Sequence, residues 1–296
     1  MEEKGNKKRR GFTPAAKLIV ILISAVIALV GLVLLAGVLG LRYLTVDRAD
    51  GSEVRFIGFV DGDGLPLNGT AYFSDGTSAR VTRRGQQTKY SDGSFYEGAL
   101  TDEFRRTGEG ELEYANGDRY LGDFADDELT GHGQIQYAGG DSYTGDFVRG
   151  ELTGAGRYVF TSGDVYNGEL VNGKKEGRGT YTFINGDVYE GTFRSDLRDG
   201  TGKMTFADGS SYSGGYLAGL KHGTGIYIYA NGDSYTGEFY RDMRQGRGTY
   251  TWANGESYTG DFFANRIDGY GIYTWVEEGR ASYEGYFEAG TIKIVE

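Results

Sequence analysis

The sequence has no cysteine, two prolines and two histidines among 296 residues. Without cysteine there is neither a disulfide framework nor a thiolate metal site, and the redox compartment stays open. Two prolines beside 52 glycines, with no Gly-X-Y period, exclude a collagen-like chain. His132 and His222 are the only histidines, and no catalytic or metal role is expected of either. A glycine-rich phosphate loop and a nucleophile elbow are also missing. Asp61-Gly-Asp63-Gly64 opens like a calcium loop, yet Leu65 stands at position five and the position-twelve glutamate is absent. The expectation is a non-enzyme with no cofactor, no metal and no small-molecule substrate. Beyond residue 41 the chain holds 25 basic against 40 acidic side chains, a net charge of −15. Nucleic-acid binding needs the opposite sign, so no nucleic-acid partner is expected.

One long uncharged run is present. Leu18 to Leu41 is 24 residues without a charge, enough at about 1.5 Å per residue to cross a hydrocarbon layer of about 30 Å. A secretory signal has an apolar stretch of only about 7–15 residues, so an uncleaved transmembrane helix over 18–41 is expected. Lys4, Lys7, Lys8, Arg9, Arg10 and Lys17 precede it, against Arg42, Arg48 and Arg55 beyond. The positive-inside rule then makes 1–17 a basic cytoplasmic tail and places the rest outside the cytoplasm. Residues 42–55 read as a linker.

The remainder is periodic. Tyr-x-Gly begins at Tyr96, Tyr120, Tyr143, Tyr166, Tyr189, Tyr212, Tyr235, Tyr258 and Tyr283, in steps of 24, six of 23, and 25. Gly-x-Gly recurs at 108/110, 131/133, 154/156, 177/179, 200/202, 223/225, 246/248 and 269/271. Such a period marks a stack whose units touch only their neighbours. Each unit alternates in the manner of a β-hairpin, and Asn116-Gly117, Asn185-Gly186, Asn231-Gly232 and Asn254-Gly255 predict type I′ turns at the tips. Residues 56–93 match the pattern imperfectly, as terminal units do, and 94–296 match it regularly. Three aromatic columns follow, one of them Tyr114, Tyr137, Phe160, Phe183, Phe206, Tyr229, Trp252 and Trp275. Glycines such as Gly177 and Gly179 are expected to leave bare backbone for a neighbouring ring.

The unit Tyr-x-Gly-x-Phe, Gly-x-Gly, an aromatic pair, then Asn/Asp-Gly-Asp-x-Tyr resembles the MORN repeat, over about Phe56 to Phe287. The resemblance implies an all-β repeat array of stacked antiparallel β-hairpins in an elongated, twisted, single-layer sheet. It also implies a scaffold or tether, as in the junctophilins that bridge membranes. The same repeats precede the kinase domain of plant phosphatidylinositol phosphate kinases, and no kinase-sized segment follows them here.

Two sets of residues are candidates for binding. Tyr229, Trp252 and Trp275 would give an apolar stripe of the kind that marks interaction sites. Lys174, Lys175, Arg241, Arg244 and Arg247 would form a basic strip of inter-repeat loops for an anionic partner. A third column, Asp118, Asp141, Asp164, Asp187, Ser210, Asp233 and Glu256, reads as turn chemistry or as a negative edge for cations. The expected function is a single-pass, membrane-anchored scaffold for a protein or an anionic or glycan envelope partner. The alternative is a carbohydrate- or wall-binding module that stacks sugars on its aromatic stripes.

Overall fold

The computed structural model describes residues 14–293, without the side chains of Ala16 and Arg84. The basic residues Lys4, Lys7, Lys8, Arg9 and Arg10 of the expected tail lie outside the described residues. The chain forms two compact units, divided between Arg105 and Arg106.

In the first unit, helix α1 (Pro14–Val38) carries leucine, isoleucine and valine all round. These side chains are exposed, Ile21 by 65% and Val33 by 64%, so no protein face covers the helix. It is long and apolar enough to cross a membrane. Gly40, at φ 86°, ends it, and Leu41 already belongs to a strand, which shortens the expected span. The stretch read as a linker is also corrected. Strand β1 (Leu41–Asp47) pairs antiparallel with β2 (Glu53–Val60) across a turn closed by Asp50, whose Oδ1 accepts from Ser52 N at 2.8 Å. The charges of Arg42, Asp47, Arg48 and Asp50 hid an alternation in which Leu44 and Val46 face the core. Strands β3 (Pro66–Phe73), β4 (Ser78–Thr82), β5 (Gln87–Tyr90) and β6 (Phe95–Leu100) continue the meander. Phe56 stands where later units carry tyrosine; a Cβ on Gly69 would come 2.5 Å from its Cζ.

The second unit is a meander from β7 (Arg106–Glu113), β8 (Arg119–Ala125) and β9 (Glu128–Gln136) to β23 (Thr291–Ile292). Every strand pairs antiparallel with the next along the chain, so the sheet is open and made of repeats.

The turn types are the reverse of those expected at the tips. Tyr114 N donates to Asp118 O at 2.8 Å and Gly117 N to Tyr114 O at 2.9 Å, which closes a three-residue loop. Only Gly117, at φ 91°, is left-handed there, whereas type I′ needs positive φ at both central residues. This is the type I turn with a glycine bulge, and Asn116 Oδ1 caps it by accepting from Asp118 N at 3.0 Å. The two-residue type I′ turns lie at the other end of each strand pair. They are Asp126-Asp127 (φ 49°, 72°), Asn172-Gly173 (49°, 74°) and Arg241-Asp242 (48°, 70°) among others. Their sequences lack a shared Asn-Gly signature, so residue type alone does not reveal them.

Candidate interaction surface

Each Tyr-x-Gly tyrosine from Tyr96 to Tyr258 is fully buried. Its ring lies along its own strand over the glycine two residues on and over the paired glycine of the next strand. Cβ atoms on Gly168 and Gly179 would come 2.5 Å from the Oη and Cε2 of Tyr166. The expectation for Gly179 therefore holds. Gly177 differs: it has φ 61° and faces the Glu169 carboxylate, not a ring.

The phenol oxygen has a separate task. A β-bulge falls just past each Tyr-x-Gly from Tyr120 to Tyr258, between Gly214 and Tyr216 for example, and leaves the Gly215 carbonyl outside the pairing with the following strand. Tyr212 donates to that carbonyl at 2.9 Å; Tyr166, Tyr189 and Tyr235 do the same for Glu169, Thr192 and Glu238 at 2.8, 3.0 and 3.0 Å. Edge-on rings flank each tyrosine, as with Tyr216 and Phe239 at 5.3 and 5.0 Å from Tyr212. Burial pushes the Tyr212 and Tyr235 phenols up to about 12.

The column that holds Tyr229, Trp252 and Trp275 lies on this same face, but half-buried. Tyr229 packs on Tyr227 and Tyr250 at 4.5 and 5.7 Å, and Trp252 on Tyr250 and Tyr273 at 4.8 and 5.1 Å. Trp275 meets Tyr273 at 4.9 Å, and the Arg280 guanidinium covers it at 4.0 Å. The column is a continuous row, partly packed and partly open to solvent.

The five basic candidates do not form one strip. Lys175 and Arg244 are half-buried on the aromatic face. Lys175 Nζ sits 5.4 Å from the Tyr181 ring and 3.3 Å from Asp196 Oδ1; Arg244 lies 5.1 Å from Tyr250 and 5.6 Å from Phe262. Arg241 is exposed in a type I′ turn, beside Tyr240 at 5.5 Å. Lys174 is exposed next to a turn, while Arg247 is exposed on the opposite face and pairs with Asp261 at 3.5 Å. The strands' alternation separates neighbours that the sequence placed together. Sequence reading missed Arg198 and Lys221, which continue the row of Lys175 and Arg244. Arg198 lies 5.2 Å from Tyr216 and Lys221 4.9 Å from Tyr227. The signal was available, because 175, 198, 221 and 244 are 23 residues apart. Cations over ring faces are held there by the ring quadrupole.

The acidic column is neither local turn chemistry alone nor a free negative edge. Asp164 Oδ1 accepts from Ile184 N and its Oδ2 from the Tyr181 hydroxyl, both at 2.8 Å. Asp233 accepts likewise from Ala253 N at 2.8 Å and Tyr250 at 2.5 Å, and Asp141 from Thr161 N and Tyr158 at 2.7 Å. Each carboxylate thus ties its own turn to the turn of the following unit. Hydrogen bonds hold the acids below their ordinary 3.8: chiefly the Thr161 hydroxyl, which donates to Asp141 Oδ1 at 2.6 Å, for Asp141, the Ile184 amide for Asp164 and the Tyr250 hydroxyl for Asp233. A depressed native value means the stabilisation is complete above 3.8 and is lost as pH falls through the native values. The melting temperature should therefore drop on acidification below that point. The drop should be smaller in the Asp141→Asn, Asp164→Asn, Asp233→Asn triple variant; parallel curves for the two proteins would refute the role of these bonds.

The other face is polar. Arg178, Thr180, Glu190, Thr192, Thr201 and Lys203 line an open trough of about 700 Å³ there. It has no enclosing wall and no buried titratable group.

A row of half-covered rings and cations on an open array is an extended surface of the kind repeat proteins use for binding. The MORN repeat matches at residues 105–119, 120–142, 143–165, 166–188, 189–211, 212–234, 235–257 and 258–280. The chain belongs to the MORN-repeat family, whose arrays serve as scaffolds for protein or membrane interaction. No curated protein matches it. Among solved structures it is similar to the TCP domain of Drosophila melanogaster SAS-4 in complex with a proline-rich motif. The identity is 16%, the coverage 52% of this chain and 85% of that one, and the TM-score 0.35. The TCP10 domain of Danio rerio CPAP, in complex with a STIL peptide, is 14% identical over 74% of this chain and 94% of that one, with a TM-score of 0.30. Both scores are too low to transfer anything to this chain.

Proposed function

We propose that the protein is a non-catalytic scaffold, anchored by α1 as a single-pass membrane protein, with its repeats outside the cytoplasm. The observation that carries this reading is the half-open aromatic row through Tyr229, Trp252 and Trp275, with the cations of Lys175, Arg198, Lys221 and Arg244 beside it. Rings with part of their surface free, edged by positive charge, suit a partner that brings apolar groups and carboxylates or other anions. The net charge of −15 beyond residue 41 disfavours nucleic acid and anionic lipid as that partner.

Protease shaving of intact cells tests the orientation: the repeats should be lost while the N-terminal tail survives. Protection of the repeats would put them in the cytoplasm. Cross-linking and capture then test the surface. Trp252→Ala and Lys221→Ala should each weaken retention of the protein partner, whereas Arg247→Ala, on the opposite face, should not. Retention on wall polymer in place of a protein would favour the carbohydrate-binding reading.

A further inference from the structure

The first strand pair has two dissimilar faces. Leu44, Val46, Val54 and Phe56 point into the core of the first unit. The outward face pairs Leu41 with Phe59 and Tyr43 with Ile57, then Thr45 with Arg55 and Asp47 with Glu53. The first two pairs are exposed large side chains, Tyr43 by 61%, Ile57 by 45% and Phe59 by 43%. The face therefore grades from apolar and aromatic to charged, and its apolar end is the end joined to α1.

The connection leaves little freedom. Three Cα steps separate Val38 from Leu41, so the strand begins within about 11 Å of the helix end. Arg42 ties the strand back to the helix end by donating from Nη1 to the Gly37 carbonyl at 2.7 Å. We infer that this face, Leu41, Tyr43, Ile57 and Phe59, rests in the lipid headgroup layer, as a second contact of the protein with the bilayer beyond the span itself. This inference rests on the reading of α1 as a membrane span. The two apolar pairs occupy about 7 Å along the strands, comparable to a headgroup layer of roughly 5–8 Å. Tyr and Phe are suited to that depth, where a ring is half-solvated and a hydroxyl reaches water. Arg55, Asp47 and Glu53 follow where water begins. Asp61 and Asp63, in the turn after β2, lie at the apolar end and set the limit of depth: their charges keep the hairpin out of the hydrocarbon.

The natural absence of cysteine makes the test direct. Single cysteines at Tyr43, Phe59, Asp47 and Val30 of the full chain are labelled with an environment-sensitive fluorophore and reconstituted in phosphatidylcholine vesicles. Each variant is checked by circular dichroism. Labels on Tyr43→Cys and Phe59→Cys should be quenched by lipids that carry a shallow spin label and should resist aqueous iodide. The label on Asp47→Cys should show the reverse, and that on Val30→Cys should respond only to deep-labelled lipid. Iodide access at 43 and 59 with Val30→Cys still lipid-quenched would overturn the inference alone. Resistance at 43 and 59 to both quenchers would overturn it in favour of a second protein copy on this face. Equal quenching at 43 and 47 would also overturn it, because the gradient would be absent. Iodide access at Val30→Cys would remove the span and the inference together.

Discussion

Replacing Tyr212 with alanine should cost about 3–5 kcal/mol, as removal of a fully buried aromatic side chain does. The ring covers Gly214 and Gly225 and is gripped edge-on by Tyr216 and Phe239. Tyr212→Phe keeps the ring but leaves the bulge carbonyl of Gly215 without its donor, for about 1–3 kcal/mol. Trp252→Ala should fall near half the first value, roughly 1.5–2.5 kcal/mol, because that side chain is only half-buried. Chemical denaturation of the three variants should give the order Tyr212→Ala, then Trp252→Ala and Tyr212→Phe together. A Trp252→Ala variant as unstable as Tyr212→Ala would make the outer row a core column and remove it as a docking surface.

Substitution of Gly179 should be nearly as damaging. A valine there would press on a buried ring, with Tyr166 Cε2 only 2.5 Å from the new Cβ. Overpacking of that kind costs about 1–3 kcal/mol, and with no space for the ring to retreat the upper end is expected. Gly177→Val acts through another cause, since φ 61° is a backbone region that a β-branched residue avoids. Arg178→Val, between them and exposed on the polar face, should stay within about 0.5 kcal/mol of the parent. Equal melting temperatures for Gly179→Val and Arg178→Val would show that the glycine is not a seat for the ring.

The repeat and its aromatic columns were legible because their period is strict and the side-chain alternation of a strand is fixed. Which column is core was not legible, since Tyr189 and Phe183 look alike in a pattern, and only pairing shows which ring lies over glycine. The bulge after each Tyr-x-Gly was hidden for the same reason: it is a fact of register, not of residue type. Lys175 and Lys174 are neighbours in sequence, yet the strand turns one onto the rings and the other away from them. Charge misled at Arg42 to Asp50, where scattered ions masked a strand. It misled again at Asp141, Asp164 and Asp233, whose partners lie 17 and 20 residues downstream.

Those downstream partners give one edge of the array a direction, whereas at the type I′ turns Asp196 and Asp242 reach back to accept from Lys175 N and Lys221 N. Tyr166 reaches forward over Gly179, and Asp164 reaches forward to Tyr181 and Ile184. On a ribosome the N-terminal residues emerge first, so each finished unit presents an unfilled carboxylate and an overhanging ring to the segment arriving next. Assembly can then proceed as a zipper whose contacts span about one unit of chain, which is the low contact order that favours rapid folding. Loss of the last unit strips the one before it of the glycine that seats its ring and of the amide that its carboxylate holds.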